Sequence, residues 1–360
     1  MPKKYFAIVS VLMILTACGG TKTEEKAAPV PSKPIGTVIE IKAPLGLPPV
    51  PVPADNPPTA ETIALGRRLY YDKGLSVDGT IACASCHDPE KGFSDASPNS
   101  AGVGGKRGDR NSPTVWNSAY NTLQFWDGRS PSLENQAEGP VQNPIEMANT
   151  LEAVEKKLSA DASYVAEFEK AYGPGPITYE KVGKAIASFE RTVLSGNSAF
   201  DKYQYGGDKK AMSASAIRGL EIYQNPAKGN CAACHTIEKD HALFTDNKFH
   251  NIGVGIDSKG ELKDLGRFKE TQVETDKGAF KTPTLRNIAA TAPYMHDGSL
   301  KTLKDVVDFY VGGGSSNPHL DQEIKALKLS KQDRDDLEAF LNALTGETPP
   351  NIGAPAVGGN

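Results

Sequence analysis

The sequence predicts a mainly α-helical protein that consists of two domains related by an internal duplication, with long loops between the helices. Apolar residues recur at helical spacing in six segments: 61–71, 151–172, 178–194, 213–223, 302–311 and 331–344. The intervening stretches are rich in Gly, Asn and Pro and contain few alternating patterns typical of β-strands. The stretch SPTVWN at 112–117 matches TPTLRN at 282–287, and without a gap Asp127-Gly128 and Leu133 match Asp297-Gly298 and Leu303. The scaffold is therefore used twice.

The first 17 residues have the pattern of a secretory signal peptide. Lys3 and Lys4 precede a short apolar run at 6–15, which is too short to cross a bilayer as a helix. The sequence Leu-Thr-Ala at 15–17 precedes Cys18 and resembles a bacterial lipobox, so we expect lipid modification of Cys18. Ordinary signal cleavage next to an incidental cysteine is the alternative interpretation.

Residues 18–58 are rich in Pro, Lys, Glu and small side chains, and such a segment favours an extended tether over a packed core. Order is expected to begin at Thr59. We place the first domain at 59–200, the second at 201–346, and a flexible tail at 347–360, which agrees with the two domains expected for a chain of 360 residues.

Two stretches with the spacing C-x-x-C-H provide the chemistry. Cys83, Cys86 and His87 form the first, and Cys231, Cys234 and His235 form the second. The spacing suits covalent haem, because two thiols attach the porphyrin and the adjacent histidine ligates the iron. A zinc site usually needs two converging cysteine pairs, and a thioredoxin-like pair does not need the histidine. The sequence therefore predicts two cytochrome c-like haem domains.

The net charge argues against nucleic acid as a partner. The formal charge is −4 for the whole chain and −6 once the two lysines of residues 1–17 are removed. A mildly acidic protein repels a phosphate backbone and attracts a basic redox partner. With four cysteines used for haem and Cys18 for lipid, none of the five remains for a disulfide bond.

Several longer motifs resemble the bacterial dihaem cytochrome c peroxidase family, including its MauG-like branch. The resemblance covers nearly all of 59–346 and is carried by RNSPT at 110–114, FWDGR at 125–129, LENQA at 133–137, NPIEM at 143–147, FHNIG at 249–253, TPTLRN at 282–287 and YMHDG at 294–298. It implies a peroxidase in which His87 and His235 ligate the two haem irons.

The resemblance also implies roles for three residues near the first haem. Glu146 matches the distal glutamate of the family and can accept and return a proton if burial raises its pKa. Gln136 matches a second distal polar residue, and Trp126 matches a tryptophan between the haems that shortens the electron path. From residue type alone, Glu146 is equally a surface residue and Trp126 is more often a core residue.

A calcium ion between the domains is a further implication. Its ligands would be the Asn111 side chain and the main-chain carbonyls of Thr291 and Pro293, because oxygen ligands suit calcium. The remaining histidines, at 241, 250, 296 and 319, are expected near haem or at the surface without ligating iron.

Two positions depart from the pattern of many family members. Val103 occupies the aligned position of a histidine that caps the first haem, and valine cannot ligate iron. Tyr310 stands where many members have an axial methionine for the second haem; a phenolate ligand would favour ferric and higher states. Met295 and Met212 are rival ligands. These changes predict activity in the diferric state without reductive activation.

Three functions remain open at this point. The first is reduction of hydrogen peroxide by a lipid-anchored periplasmic enzyme, with a small cytochrome c or cupredoxin as electron donor and with a homodimer allowed. The second is a MauG-like oxidase that modifies residues of a partner protein. The third is a dihaem electron carrier, which would gain nothing from an open iron site or from Glu146.

Overall fold

A computed structural model describes Met1, residues 32–257 and residues 259–356. Cys18 and the predicted signal peptide beyond Met1 lie outside the described residues. Within the described part of the chain, no helix is long and apolar enough to cross a membrane. In the described residues the secondary structure is mainly α-helical, as the sequence predicted, and includes one two-stranded sheet.

The first half is built from seven helices. They are α1 (Ala60–Tyr71), α2 (Cys83–Cys86), α3 (Leu133–Gln136), α4 (Glu138–Gln142), α5 (Leu151–Ser159), α6 (Ala162–Tyr172) and α7 (Tyr179–Glu190). Helix α1 begins after Thr59, whose hydroxyl accepts a hydrogen bond from the Thr62 amide. Helices α1 and α7 cross at Gly66, where a Cβ would collide with the carbonyl oxygen of Ala185. The missing side chain therefore allows the close helix packing that forms the first core.

The second half repeats this arrangement. Its helices are α8 (Ala199–Gln204), α9 (Ala214–Gln224), α10 (Phe268–Thr271), α11 (Leu303–Val311) and α12 (Lys331–Asn342), and strands β1 (Phe249–His250) and β2 (Phe280–Lys281) pair antiparallel. Helices α9 and α12 cross at Gly219, against the carbonyl oxygen of Asp336. Each half therefore packs its own hydrophobic cluster around one helix crossing.

Between residues 111 and 133 the backbone repeats the duplication at an offset of 170 positions. Asn117 and Asn287 both adopt left-handed φ values, 60° and 57°. The bridge between Gln124 and Ser130 recurs between Tyr294 and Leu300. The halves thus share local backbone geometry as well as sequence.

Two helices differ from the prediction. The predicted helix at 151–172 is broken into α5 and α6, because the Asp161 carboxylate accepts hydrogen bonds from the amides of Ser163 and Tyr164 and starts a new helix. Helix α8 was missed, although Ser198 and Asp201 form a capping box. Phe200 of this helix packs in the core of the second half. The predicted boundary after residue 200 therefore falls inside a helix.

The segment 32–58 was predicted to be part of an extended tether, but it packs against both halves. The carbonyl oxygen of Gly46 accepts hydrogen bonds from the Ala242 amide at 3.0 Å and from Arg286 Nη2 at 2.7 Å. Leu47 is buried next to Tyr120 and Leu194. The main-chain carbonyls of this segment satisfy buried donors of the body, which composition alone does not reveal.

The first part of the predicted flexible tail is also packed. Ile352 is buried in the core of the first half, and its carbonyl oxygen accepts a hydrogen bond from the Tyr71 hydroxyl at 2.6 Å. Arg67 Nε donates to the Gly353 carbonyl at 2.6 Å. The chain therefore returns to the first half after completing the second.

Candidate functional site

A cavity of about 730 Å³ is lined by residues of both halves. Both C-x-x-C-H motifs lie in its wall, at residues 83–87 and 231–235. Most of the exposed area of the wall is apolar, and polar and charged side chains interrupt it at many positions, which is compatible with a cofactor that carries both apolar and charged groups. The two predicted haem sites are thus parts of one cavity.

The first motif forms α2 and the residue that follows it. His87 Nδ1 lies 3.3 Å from the carbonyl oxygen of Phe93, and the Tyr70 hydroxyl donates to the carbonyl oxygen of His87 at 3.0 Å. Burial lowers the pKa of His87, which favours the neutral imidazole. With Nδ1–H donating to Phe93, Nε2 is available as an iron ligand.

The second motif has the same contacts. His235 Nδ1 lies 2.9 Å from the carbonyl oxygen of Phe244, and the Tyr223 hydroxyl donates to the carbonyl oxygen of His235 at 2.6 Å. The four motif cysteines are free thiols, and burial raises the pKa of Cys86 to about 11. Paired free thiols next to a neutral, oriented imidazole in a largely apolar cavity fit two covalently attached haems.

Glu146 lines the cavity on the side of the first motif. Its Oε1 accepts a hydrogen bond from Asn143 Nδ2 at 2.7 Å. Burial raises the pKa of Glu146, while the hydrogen bond from Asn143 and the charge of Arg129 oppose that shift. The Arg129 guanidinium lies 3.4 Å from the Phe125 ring centroid. Burial therefore gives this carboxyl the direction of pKa shift that a proton-transfer group needs near neutral pH.

Gln136 and the Val103 loop complete this part of the cavity. Gln136 is the last residue of α3 and lines the cavity. The Val103 amide donates to the carbonyl oxygen of Glu146 at 2.8 Å, and Gly102 packs so closely that a Cβ would collide with the carbonyl of Ile145. The loop is therefore fixed against the turn that carries Glu146.

Trp126 lies where the two halves meet. Its indole Nε1 donates to the Asn111 carbonyl at 2.8 Å, and its own carbonyl accepts from the Lys281 amide at 2.8 Å. In the equivalent hydrogen bond with the two halves exchanged, the Asn111 amide donates to the His296 carbonyl at 2.7 Å. This reciprocal pair of hydrogen bonds makes the contact between the halves quasi-twofold, with Trp126 and His296 in equivalent positions.

The three residues named for calcium all line the cavity. Asn111 is 6 % exposed and Thr291 is 9 % exposed. Asn111 Nδ2 donates to the Ser97 carbonyl at 2.8 Å, which orients the amide and leaves Oδ1 for another donor or a cation. Pro293 follows two residues after Thr291, so their carbonyls come from one turn of chain. These oxygens are of the type that calcium prefers.

Tyr310 lines the cavity from α11, and burial raises the pKa of its hydroxyl. Met295 also lines the cavity, whereas Met212 packs in the hydrophobic cluster of the second half. Of the two rival methionines, Met295 alone is thus placed at the cavity wall.

Sequence reasoning missed two buried charged residues of the wall, Glu190 and Lys281. Burial raises the pKa of Glu190 to about 8 and lowers that of Lys281 to about 8. Glu190 interrupts the apolar face at the end of a predicted helix, which was a usable signal. Lys281 precedes the repeated Thr-Pro motif and had no local signal.

The two histidines of the family motifs also lie at the cavity wall. His250 is held between carboxylates, with Nδ1 2.7 Å from Asp321 and Nε2 3.0 Å from Asp246. The His296 ring stacks on Phe280, with a centroid separation of 3.6 Å. Both rings are therefore fixed by neighbouring side chains.

Comparison with known families agrees with this geometry. Residues 60–210 match the family model described as di-haem cytochrome c peroxidase, and residues 216–345 match the cytochrome c model. The chain is 40% identical over 299 residues to the methylamine utilization protein MauG of Methylorubrum extorquens, covering 83% of this chain and 82% of that protein. It is 36% identical to cytochrome c551 peroxidase of Nitrosomonas europaea, covering 83% and 84% of the two chains.

A solved structure gives the same result at the level of the fold. The crystal structure of a MauG-like protein associated with microbial copper homeostasis superposes with a TM-score of 0.79 at 34% identity, covering 88% of this chain and 99% of that one. The chain therefore belongs to the di-haem cytochrome c peroxidase family, a family of peroxidases that carry two c-type haems.

Proposed function

We propose that this protein reduces hydrogen peroxide to water at the haem on Cys83 and Cys86, and that it does so in the diferric state. The observation that carries the proposal is the half-buried carboxyl of Glu146, whose pKa burial raises, in the wall of the cavity that also contains the first haem motif. A carrier of electrons has no need of a proton-transfer group at this place.

Bound through the two motifs, the haems would supply the redox chemistry. His87 and His235 would hold the irons through Nε2. Glu146, as a carboxylate, would accept a proton from one oxygen of the peroxide and return it to the other oxygen, which leaves as water. Its Oε1 is held by Asn143, so the second oxygen is the one available to the peroxide. Gln136 would orient the peroxide or a water molecule.

Electrons would enter at the haem on Cys231 and Cys234 and pass the region of Trp126. Two hydrogen bonds support this role, because the indole Nε1 of Trp126 donates to Asn111 of the first half and the main-chain carbonyl of Trp126 accepts from Lys281 of the second half. A calcium ion on Asn111, Thr291 and Pro293 would brace the same region. The acidic character of the chain supports a basic donor, a small cytochrome c or cupredoxin.

Val103 and Tyr310 support activity without prior reduction. Valine offers no atom that could ligate iron, and the hydrogen bond from its amide to Glu146 fixes the loop. Tyr310 lies at the cavity wall beside Cys231 and Cys234, where a phenolate would favour the ferric state of the second haem. We further propose a periplasmic location with a lipid anchor on Cys18, and we leave a homodimer as the assembly to be tested.

The deciding experiment is peroxide turnover by the ferric protein as isolated, with reduced cytochrome c as donor, compared with a pre-reduced sample. Turnover without a lag is expected. Two six-coordinate low-spin haems with no peroxide reaction before reduction would contradict the proposal of diferric activity.

A second function is favoured by the similarity to MauG proteins together with Tyr310. In this function the protein would use peroxide to oxidise residues of a partner protein. Haem bleaching or high-valent spectra on peroxide addition, with no turnover of cytochrome c in either sample, would decide in its favour.

A further inference from the structure

Lys281 is a buried cation in the wall of the cavity. The residue is 8 % exposed and lies on β2. Its Nζ donates to Asn121 Oδ1 at 3.3 Å, and no carboxylate among the described residues forms an ion pair with it. Burial is the sole cause of the lowered pKa, which is about 8. A buried ammonium is costly unless an anion neutralises it, and no described side chain of the protein supplies that anion.

The duplication gives this lysine a counterpart. At the offset of 170 positions, Lys281 corresponds to Asn111, and its hydrogen-bond partner Asn121 corresponds to Thr291. The reciprocal hydrogen bonds from the Asn111 amide to His296 and from the Lys281 amide to Trp126 confirm that the two positions are structurally equivalent. The pair Asn111 and Thr291 thus presents oxygens suited to a cation, whereas the equivalent pair, Lys281 and Asn121, carries a cation of its own.

We propose that Lys281 is the counter-ion of a haem propionate and that it positions this haem and raises its reduction potential. The proposal rests on the binding of two haems and is independent of peroxide reduction. A propionate is an anion that a haem in this cavity necessarily brings with it. The ammonium of Lys281 would offset that negative charge, just as a cation bound at the equivalent pair, Asn111 and Thr291, would.

The expected effect follows from the charge. Without the ammonium, the propionate charge acts unopposed on the iron and favours the ferric state. For unit charges about 10 Å apart at an effective dielectric constant of about 20, the ratio of reduced to oxidised haem changes about tenfold. For a one-electron couple this corresponds to about 59 mV.

The test is a spectroelectrochemical titration of the dihaem protein and of K281M and K281Q, in the absence of peroxide. In both variants the midpoint potential of one haem is expected to fall by about 59 mV, the equivalent of a tenfold change in the ratio of reduced to oxidised haem. The propionate bending band in resonance Raman spectra is also expected to shift. K281R keeps the positive charge, so its midpoint potential should lie close to that of the parent protein. The matched control is K269M, because Lys269 lines the same cavity but is 52 % exposed and pairs with Asp264 at 2.8 Å.

Unchanged midpoints of both haems in K281M and K281Q at full haem content would overturn the proposal. A midpoint of the parent protein that moves with phosphate concentration, an effect lost in K281M, would assign the site to a free anion and would also overturn it. If K281M does not assemble with haem, the comparison of K281Q with K281R decides. Because no peroxide is present, the result stands whether or not the protein proves to be a peroxidase.

Discussion

The two halves of the molecule share a scaffold and differ at the positions that face the cavity. Gly66 and Gly219 allow equivalent helix crossings, and Tyr70 and Tyr223 hold the two motif histidines in the same way. Main-chain contacts of this kind are preserved in both copies. The scaffold is thus encoded by residues that pack or bond to the backbone.

The differences concern side chains that point to the cavity. Trp126 corresponds to His296, and Asn111 corresponds to Lys281. The short α3 ends at Gln136, whereas its counterpart α11 continues to Val311 and brings Tyr310 to the wall. A few substitutions and one longer helix on a shared scaffold thus give the two halves different side chains at the cavity wall, on which the roles proposed above depend.

The largest expected effect comes from removing Glu146, the proposed proton-transfer group of the first half. Glu146→Gln should lower kcat/KM for peroxide by about 10² to 10⁴, because a positioned acid and base is worth that much. In the parent, kcat/KM should fall as the pH falls through the pKa of Glu146. Because burial raises that pKa, the fall should begin at a higher pH than for an ordinary glutamate.

Glu138→Gln is the matched control for this variant, since Glu138 lies on the neighbouring α4 but is not part of the cavity wall. It should keep the parent kcat/KM. If Glu146→Gln turned over peroxide at the parent rate, the first half would carry no proton-transfer site and the electron-carrier function would be favoured.

Tyr310→Met should make the second half resemble the family members with an axial methionine. Thioether ligation raises haem potential, so the midpoint of one haem should rise by on the order of 100 mV. A lag before peroxide turnover, abolished by pre-reduction, should appear as well. Redox titration and stopped-flow turnover measure both effects.

Tyr203→Phe, a change outside the cavity wall, is the control and should alter neither the midpoint potential nor the lag. An unchanged midpoint potential in Tyr310→Met would exclude Tyr310 as a ligand.

Glu190 is a difference between the two halves that should make the stability of the protein depend on pH. Gly66 meets the carbonyl of Ala185 and Gly219 meets that of Asp336, so α7 and α12 are related by 151 positions and Glu190 corresponds to Leu341. A titratable group thus stands where the other half has an apolar one. The pKa of Glu190 is raised to about 8 by burial, so the folded state binds its proton more tightly than the unfolded state does. This contribution to stability is present below the unfolded pKa near 4.5 and is lost as the pH rises through about 8.

Glu190→Gln should therefore remove a decline in the free energy of unfolding of on the order of 5 kcal/mol between acidic and alkaline pH. Denaturant titrations of parent and variant at several pH values measure this difference. Equal pH dependence of the two proteins would mean that Glu190 titrates normally.

The helix crossings should respond alike in both halves. Gly66→Ala and Gly219→Ala each place a Cβ against a main-chain carbonyl and should cost about 1 to 3 kcal/mol of stability. Gly353→Ala is the control, because a Cβ there meets no atom within 4 Å. Thermal melts compare the three variants. If only one of the two variants lost stability, the two halves would not depend equally on their helix crossings.

Much of the fold could be predicted because its signals are local. Helical spacing located α1, α7, α9, α11 and α12 to within a few residues, and the break between α5 and α6 was missed because the cap at Asp161 lies inside a continuous apolar pattern. The packing of 32–58 was missed because its partners, such as Arg286, are more than 200 residues away in the chain.

The sequence alone determined the two C-x-x-C-H motifs, the duplication and the family, because thiol and imidazole spacing and repeated motifs are properties of neighbouring residues. The tertiary structure decided which side chains share the cavity. The tertiary structure buries Glu190 and Lys281 in the cavity wall. It also places Met295 at this wall and Met212 in the hydrophobic cluster of the second half. Burial and pairing depend on residues distant in the chain, so no local pattern can report them.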